Sequence, residues 1–128
     1  PLVFLHKELA TDSGGAGKYR GGLGQRLSVR STSNEKMTFA VRVDRTAHPT
    51  IGIGGGGPGA PSQVSVNGMP VHPKKTLELF RGDVYSVQCA GGAGYGDPAE
   101  RDQHALDRDV ADGYVSPEAA RRDYGGGE

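Results

Sequence analysis

Glycine is the feature that most constrains the fold of this chain, because it supplies 22 of the 128 residues and is concentrated in short runs. It loses more backbone freedom on folding than any other residue and contributes no side chain to a core. Only 34% of the residues are hydrophobic, so the predicted core is small. The length fits a single domain, and a domain with so small a core gains stability from a partner surface. An obligate subunit is therefore favoured over a free monomer.

The first 90 residues follow the two-residue period of β-strands and are interrupted by glycine and proline. The clearest predicted strand runs from Met37 to Val43, with its large hydrophobic side chains on one face. Residues 2–9 are apolar on both faces in their first half, which is typical of a covered strand. About six or seven strands with short turns predict a sandwich or barrel-like β domain.

Two turn signals predict hairpins within this region. Asn67-Gly68 lies between short alternating segments and favours a two-residue hairpin turn. Arg81-Gly82-Asp83 is predicted to join residues 77–80 and 84–89 in a second hairpin. The lone Cys89 excludes a disulfide within this chain and a cysteine-based zinc site, and its place after a strand predicts a small buried residue.

The last part of the chain carries helix signals. Asp97-Pro98-Ala99-Glu100 predicts the start of one helix, with a capping side chain, a proline at the first position and an acidic residue three places after the cap. Ser116-Pro117-Glu118 repeats this pattern, and Gly113 and Gly125 predict the two helix ends.

Three regions are therefore predicted. Residues 1–90 form a β domain, residues 91–97 a glycine-rich joint, and residues 98–128 a helical tail. Because short helices with narrow apolar faces cannot hold themselves together, the tail is predicted to dock on the β domain or on a partner. The predicted fold class is mainly β, followed by two short C-terminal helices.

The glycine runs do not keep the patterns of nucleotide-binding loops. Residues 13–24 lack the first glycine of a P-loop and the hydroxyl residue after its lysine. Residues 52–57 match Gly-x-Gly-x-x-Gly, but Pro58 follows where a helix would have to begin. Residues 91–97 lead into a helix whose capping Asp97 would repel an anion, so a structural joint is favoured there.

Charge and hydropathy exclude two classes of partner. Fifteen basic residues balance fifteen acidic ones, without the basic excess typical of nucleic-acid binding. The apolar run at residues 1–5 is too short to cross a bilayer and lacks the layout of a signal peptide. These features predict a cytoplasmic protein that binds neither nucleic acid nor membrane.

The candidates for interface or cleft-facing polar groups are Arg20, Asp44, Arg45 and His48. An arginine can clamp an anion, although an interface salt bridge suits Arg20 and Arg45 equally well. His48 lies where a strand breaks into a long glycine loop, a common place for functional residues. The other histidines are scattered without metal-ligand spacing, so no catalytic, cofactor-binding or metal-binding residue is predicted on this chain.

Five stretches keep a distinctive order along the chain: residues 12–24 (Asp-Ser-Gly-Gly-Ala-Gly-Lys-Tyr-Arg-Gly-Gly-Leu-Gly), 55–61 (Gly-Gly-Gly-Pro-Gly-Ala-Pro), 81–84 (Arg-Gly-Asp-Val), 91–98 and 109–125. In this order, and with comparable spacing, they resemble the C-terminal end of the hydantoinase B/oxoprolinase family. Each stretch is weak alone, but the series is specific and covers nearly the whole chain.

The resemblance implies a large cytoplasmic assembly that uses ATP to activate a carbonyl substrate. Members of the family open cyclic amides (N-methylhydantoinases, 5-oxoprolinases, caprolactamase-like enzymes) or carboxylate ketones (acetone and acetophenone carboxylases). The implied partners are an A-type subunit, which binds ATP, and a longer B-type subunit. ATP, Mg and any further divalent metal are expected on these partners. The family's metal-binding residues lie in an N-terminal part that this sequence lacks, so no ligand is transferred to this chain.

The leading hypothesis is a small subunit, or C-terminal piece, of such a complex, with glycine runs that pack against partner backbone. Pro1 fits a separately encoded subunit whose initiator Met is removed, and a fragment of a longer chain fits as well. The alternative is a non-catalytic stand-alone binding module that retains the fold. A self-sufficient small hydrolase is disfavoured, because neither a nucleophile with its base nor a metal cluster is visible. The sequence does not choose between hydrolysis and carboxylation.

Overall fold

The structure is a computed structural model that describes residues 1–125. Residues 126–128 of the predicted helical tail lie outside the described residues. The elements in chain order are β1 (Leu2–Leu9), β2 (Gln25–Ser31), β3 (Met37–Ala40), β4 (Gln63–Val66), β5 (Met69–Pro70), β6 (Thr76–Leu79), β7 (Val84–Gln88), a 3-10 turn (Pro98–Glu100), α1 (Gln103–Ala111) and α2 (Pro117–Tyr124).

The strands form two antiparallel sheets. The larger sheet has the order β1-β2-β7-β4-β5, and the smaller sheet pairs β3 with β6. The predicted mainly β fold followed by two helices is therefore confirmed. Between residues 1 and 125 neither sheet closes into a barrel, so the β part is a two-layer arrangement.

The main hydrophobic core lies between the two sheets. One face of the larger sheet contributes Val29, Val64 and Val87, and the smaller sheet contributes Leu79. The ring of Phe39 on β3 packs 4.6 Å from that of Tyr85 on β7, measured between centroids. Full burial of a side chain such as Leu79 stabilises the fold by about 1.5–3 kcal/mol. The alternating hydrophobic residues of the sequence thus form a small core shared by two thin layers.

One predicted hairpin is confirmed and the other is wrong. Asn67 and Gly68 take φ values of 50° and 78° and join β4 to β5, as a two-residue hairpin turn requires. The chain also reverses at Gly82, whose φ is 91°, but β6 pairs with β3 whereas β7 pairs with β2 and β4. This turn carries the chain from one sheet to the other. A local turn signal identifies a reversal and contains no information about which strands then pair.

Three local predictions need correction. The strand predicted from Met37 to Val43 ends at Ala40, although Val41 and Val43 still donate backbone hydrogen bonds to Lys75 and Pro73. All eight residues of β1 are exposed, because β1 is an edge strand and no described element covers it. Cys89 is exposed rather than buried, because β7 ends at Gln88 and the inward alternation ends with it.

The helix caps follow the sequence, but the first helix starts later than predicted. The Asp97 carboxylate accepts a hydrogen bond from the Ala99 amide and caps only the 3-10 turn. Asp102 then caps α1, which begins at Gln103. The predicted cap Ser116 accepts from the Ala119 amide at the start of α2, and Gly113 and Gly125 take positive φ at the helix ends as predicted.

Asp83 links the two turns and makes stability depend on pH. Its carboxylate accepts hydrogen bonds from the Phe80 amide (2.7 Å) and the Asn67 side chain (2.9 Å), and these bonds hold its pKa below the usual 3.8. A depressed folded-state pKa contributes stability above the unfolded value and loses it as the pH falls through the folded value. We expect the difference in Tm between the unsubstituted chain and Asp83→Asn to be constant near neutral pH and to shrink below about pH 4. A difference independent of pH in thermal melts would contradict this role.

Candidate functional site: a glycine core and a buried ion triad

The three glycine runs, which the sequence separates widely, come together in space. The Gly15 amide donates to the Gly92 carbonyl (2.8 Å), the Gly57 amide to the Ala16 carbonyl (2.7 Å), and the Gly94 amide to the Gly57 carbonyl (2.9 Å). We call residues 13–24, 52–60 and 91–97 the glycine core. Its segments satisfy one another's backbone groups without forming a regular sheet.

Close backbone approach explains why these positions are glycine. An added Cβ at Gly21 would overlap the Gly92 carbonyl, one at Gly91 would overlap the Ser13 carbonyl, and one at Gly94 would overlap the Ala16 carbonyl. None of these three glycines has a positive φ, so packing rather than backbone conformation requires them. The glycine runs were expected to pack against partner backbone, and this expectation is wrong for these positions. They pack against each other.

Ser13 fixes one end of the glycine core. It is 1% exposed, and its hydroxyl donates to the Ala10 carbonyl (2.5 Å) and accepts from the Gly24 amide (2.8 Å). Asp12 beside it accepts a hydrogen bond from the Ser116 amide (2.7 Å) at the start of α2. The Ser13 hydroxyl is therefore engaged in two hydrogen bonds within its own segment, whereas Asp12 ties this segment to the distant helix α2.

A buried ion triad joins the glycine core to the helices. The Asp109 carboxylate on α1 accepts from Arg20 Nε (3.0 Å) in the first glycine run and from an Arg101 guanidinium nitrogen (2.5 Å). The three side chains are only 10–16% exposed. The Arg20 guanidinium also lies 5.6 Å from the centre of the Tyr114 ring. Buried pairs of opposite charge are strongly coupled, so this triad fixes where the helices lie on the glycine core.

Small hydrophobic residues complete the contact around the triad. A second cluster of buried side chains consists of Leu106, Val115, Ala119 and Tyr124, and Ala16 of the glycine core packs against it. Burial raises the pKa of the Tyr124 phenol above its usual value. The helical tail thus docks on this chain's own glycine core through both charge and packing. The division at residues 90 and 97 stays a prediction.

One groove borders the glycine core, and a separate groove lies on the larger sheet. One of about 510 Å³ is lined mainly by the glycine core, with Asp12, Pro98, Arg122 and Asp123 at its rim. Arg122 and Asp123 bind each other at 2.7 Å, so their charges are mutually engaged. The other, of about 680 Å³, lies against β2, β4 and β7 and is mostly polar at its strand residues, where the Ser28 and Ser86 hydroxyls lie 2.6 Å apart. Neither groove combines a nucleophile with a hydrogen-bonded base.

The structure separates the four predicted polar residues. Arg20 belongs to the ion triad. Asp44 is exposed and binds Lys74 at 2.5 Å, and this ion pair lowers the pKa of the Asp44 carboxyl. Arg45 is exposed with a φ of 58°, and its carbonyl accepts from the Ser62 amide. His48 is exposed on the following loop. No hydrogen bond or ion pair in the described part of the chain joins Arg20 to the other three.

Sequence reasoning missed the partners of Arg20. Asp109 and Arg101 lie more than eighty residues away from it, and no local spacing links them. A weak signal was present, since Asp109 occupies the predicted helix between Leu106 and Val110, whose side chains mark the inward face. For the stretch described, residues 1–125, no three His, Cys, Asp or Glu side chains converge to hold a metal ion, and no helix is long and apolar enough to cross a membrane.

Comparison with known proteins finds relatives that match nearly the whole chain. Residues 1–98 match the family model described as hydantoinase B/oxoprolinase. The chain is 38% identical to a protein of Methanocaldococcus jannaschii over 97% of this chain and 22% of that protein. It is 34% identical to the caprolactamase subunit beta of Pseudomonas jessenii, over 98% of this chain and 23% of that subunit. It is 29% identical to the acetone carboxylase alpha subunit of Xanthobacter autotrophicus, over 98% and 21%.

The fold matches as well. The crystal structure of the ATP-dependent caprolactamase from Pseudomonas jessenii superimposes with a TM-score of 0.80 and 29% identity, over 98% of this chain and 23% of the matched chain. The chain therefore spans about a fifth of the length of the relatives it matches.

Proposed function

Because the chain belongs to the hydantoinase B/oxoprolinase family, we propose that it is a structural part of an ATP-dependent assembly that activates a carbonyl substrate. The assembly opens a cyclic amide, as the name of the caprolactamase relative indicates for that enzyme, or carboxylates a ketone, as the name of the acetone carboxylase relative indicates. In this proposal the chain is a small subunit or C-terminal piece, and it works with an A-type and a longer B-type polypeptide in the cytoplasm.

The observation that carries the proposal is the match of nearly all of this chain to about a fifth of the ATP-dependent caprolactamase chain. A scaffold role fits the described residues, because segments of the glycine core hydrogen-bond to one another and the charged groups of the ion triad pair with one another. The catalytic work then belongs to the remainder of the assembly.

ATP and its metal fit the partners better than this chain. An anion site needs free amides, but after the third glycine run the Ala99 amide already donates to the Asp97 carboxylate. Within the glycine core, the amides of Gly15, Gly57 and Gly94 donate to backbone carbonyls of the same core. We therefore place ATP, Mg and any further divalent metal on the A-type and longer B-type polypeptides, and we route no chemical step through this chain.

A panel of substrates tests the proposal. The chain would be co-expressed with A-type and longer B-type polypeptides from the same genome and purified as a complex. ATP consumption would then be measured with cyclic amides (hydantoins, 5-oxoproline, caprolactam) and with ketones plus bicarbonate (acetone, acetophenone). We expect ATP-coupled conversion of at least one substrate, and loss of that conversion when this chain is omitted.

The same panel separates the alternative. A stand-alone binding module would leave the activity of the other polypeptides unchanged when it is omitted. Full turnover by a complex that lacks this chain would therefore contradict the proposed function. Turnover by the purified chain alone, without ATP, would contradict it as well.

A further inference from the structure

The edge strand β1 is free to pair with a further strand, whereas the strand at the opposite edge of the same sheet is not. At the far edge, β5 is two residues long and ends in Pro70, which has no amide to offer a further strand. β1 is eight residues long and contains no proline. Its five large hydrophobic residues are between 39% and 63% exposed: Leu2, Val3, Phe4, Leu5 and Leu9. A long apolar edge of this kind is a template for strand pairing and for aggregation unless another chain covers it.

The register shows which backbone groups of β1 are free. The Thr32 amide donates to the Pro1 carbonyl and the Ala10 amide donates to the Gly24 carbonyl, so both ends of β1 lie beside hydrogen-bonded pairs. Antiparallel pairs alternate between bonded and non-bonded positions, with one register shift between Phe4 and His6. Counting inward from both ends places the non-bonded positions at Leu2, Phe4, Lys7 and Leu9. Their amides and carbonyls therefore point away from β2.

We infer that the free edge of β1 pairs with a strand of the longer B-type polypeptide, which extends the larger sheet by β-augmentation. This inference rests on the proposed function. The occupant is argued from chain length, because the same fold makes up only 23% of the matched caprolactamase chain and the other three quarters of such a chain can supply a strand. The open apolar edge offers both backbone hydrogen bonds and hydrophobic side chains for that contact.

Amide hydrogen exchange of the complex, at single-residue resolution, tests the inference. The chain would be measured alone and bound to the longer B-type polypeptide. We expect the outward amides at Leu2, Phe4, Lys7 and Leu9 to exchange about tenfold more slowly, or slower still, in the complex. The inward amides at positions 3, 6 and 8 are already bonded to β2 and are expected to change less. A two-residue period of new protection is a signature that simple burial of the side chains would not give.

A matched pair of substitutions at Lys7 provides a second test. Lys7→Pro removes an outward amide and blocks the edge, whereas Lys7→Ala removes the exposed side chain and keeps the amide. We expect Lys7→Pro to weaken binding to the longer B-type polypeptide by about tenfold, which is the effect of losing one or two hydrogen bonds, and Lys7→Ala to stay within about twofold. Thermal melts would check that both variants fold. If Lys7→Pro does not fold, the hydrogen-exchange experiment on the unsubstituted chain tests the inference by itself.

The outcomes separate this inference from the proposed function. If the complex forms and turns over substrate only with this chain, but the outward β1 amides exchange as fast as before, the inference is wrong and the proposed function stands. The same protection in the chain measured alone would indicate that β1 pairs with a second copy of this chain, and it would also overturn the inference. Turnover that does not need this chain would contradict the proposed function itself.

Discussion

Replacing Gly21 by alanine is expected to destabilise this protein by roughly 3 kcal/mol or more, and to lower its Tm by about 10 °C or more, because the new methyl group would overlap backbone. The Gly92 carbonyl and the Ala93 carbonyl oxygen occupy the space where the Cβ would lie. These atoms belong to another segment of the glycine core and are held there by hydrogen bonds, so they cannot move aside as a flexible side chain does. Thermal and urea unfolding of the purified variant would measure the loss.

The next residue along the chain provides the control. Gly22 is exposed, has no positive φ, and an added Cβ there would meet no atom within 4 Å. Gly22→Ala should therefore be neutral or stabilise by about 0.4–1 kcal/mol, because alanine restricts the unfolded chain. Equal stability of the two variants would mean that the glycine core is not packed as described.

Asp109→Ala is the second substitution with a large expected effect. It removes the one carboxylate between Arg20 and Arg101 and leaves two guanidinium groups that are only 16% and 11% exposed without their counter-charge. Loss of one partner from a buried ion pair typically costs about 3–5 kcal/mol. We expect a loss in that range, and earlier exposure of the helices than of the β-sheets in hydrogen exchange, because the triad is what ties α1 to the glycine core.

An exposed residue on the same helix separates this effect from a change in helix propensity. Among residues 1–125, Asp107 accepts a side-chain hydrogen bond from Gln103 alone (2.8 Å), so Asp107→Ala should change stability by less than about 0.5 kcal/mol. A double variant with Arg20→Ala should recover part of the loss, because it removes one of the two uncompensated charges. Additive losses would show that the triad does not act as a unit.

The local features of the fold were predictable from the sequence, and the contacts between distant segments were not. The alternation of hydrophobic and polar residues predicted the strands, and Asn67-Gly68 predicted a hairpin. Both features are encoded within a few residues. The pairing of β6 with β3 was missed because the turn at Gly82 looks the same whether the chain stays in one sheet or changes sheets.

The glycine core shows the same limit from the other side. Taken alone, each glycine run is a loop that fails a nucleotide-binding pattern. Gly15, Gly57 and Gly94 associate through backbone hydrogen bonds, which require no particular side chains. Their association therefore leaves no pattern in the sequence. Arg20 was predicted as an interface or cleft-facing group, and its partners Asp109 and Arg101 became visible only in three dimensions.

In the proposed assembly, this chain supplies a glycine-built scaffold and the ATP-dependent chemistry lies on the other polypeptides. The most direct measurement is a titration of the purified chain into the A-type and longer B-type polypeptides, with ATP-coupled substrate turnover as the readout. We predict that turnover rises from near zero and saturates at one copy of the chain per B-type polypeptide, and that Gly21→Ala saturates poorly while Gly22→Ala matches the unsubstituted chain. Turnover that is complete before any chain is added would contradict the account.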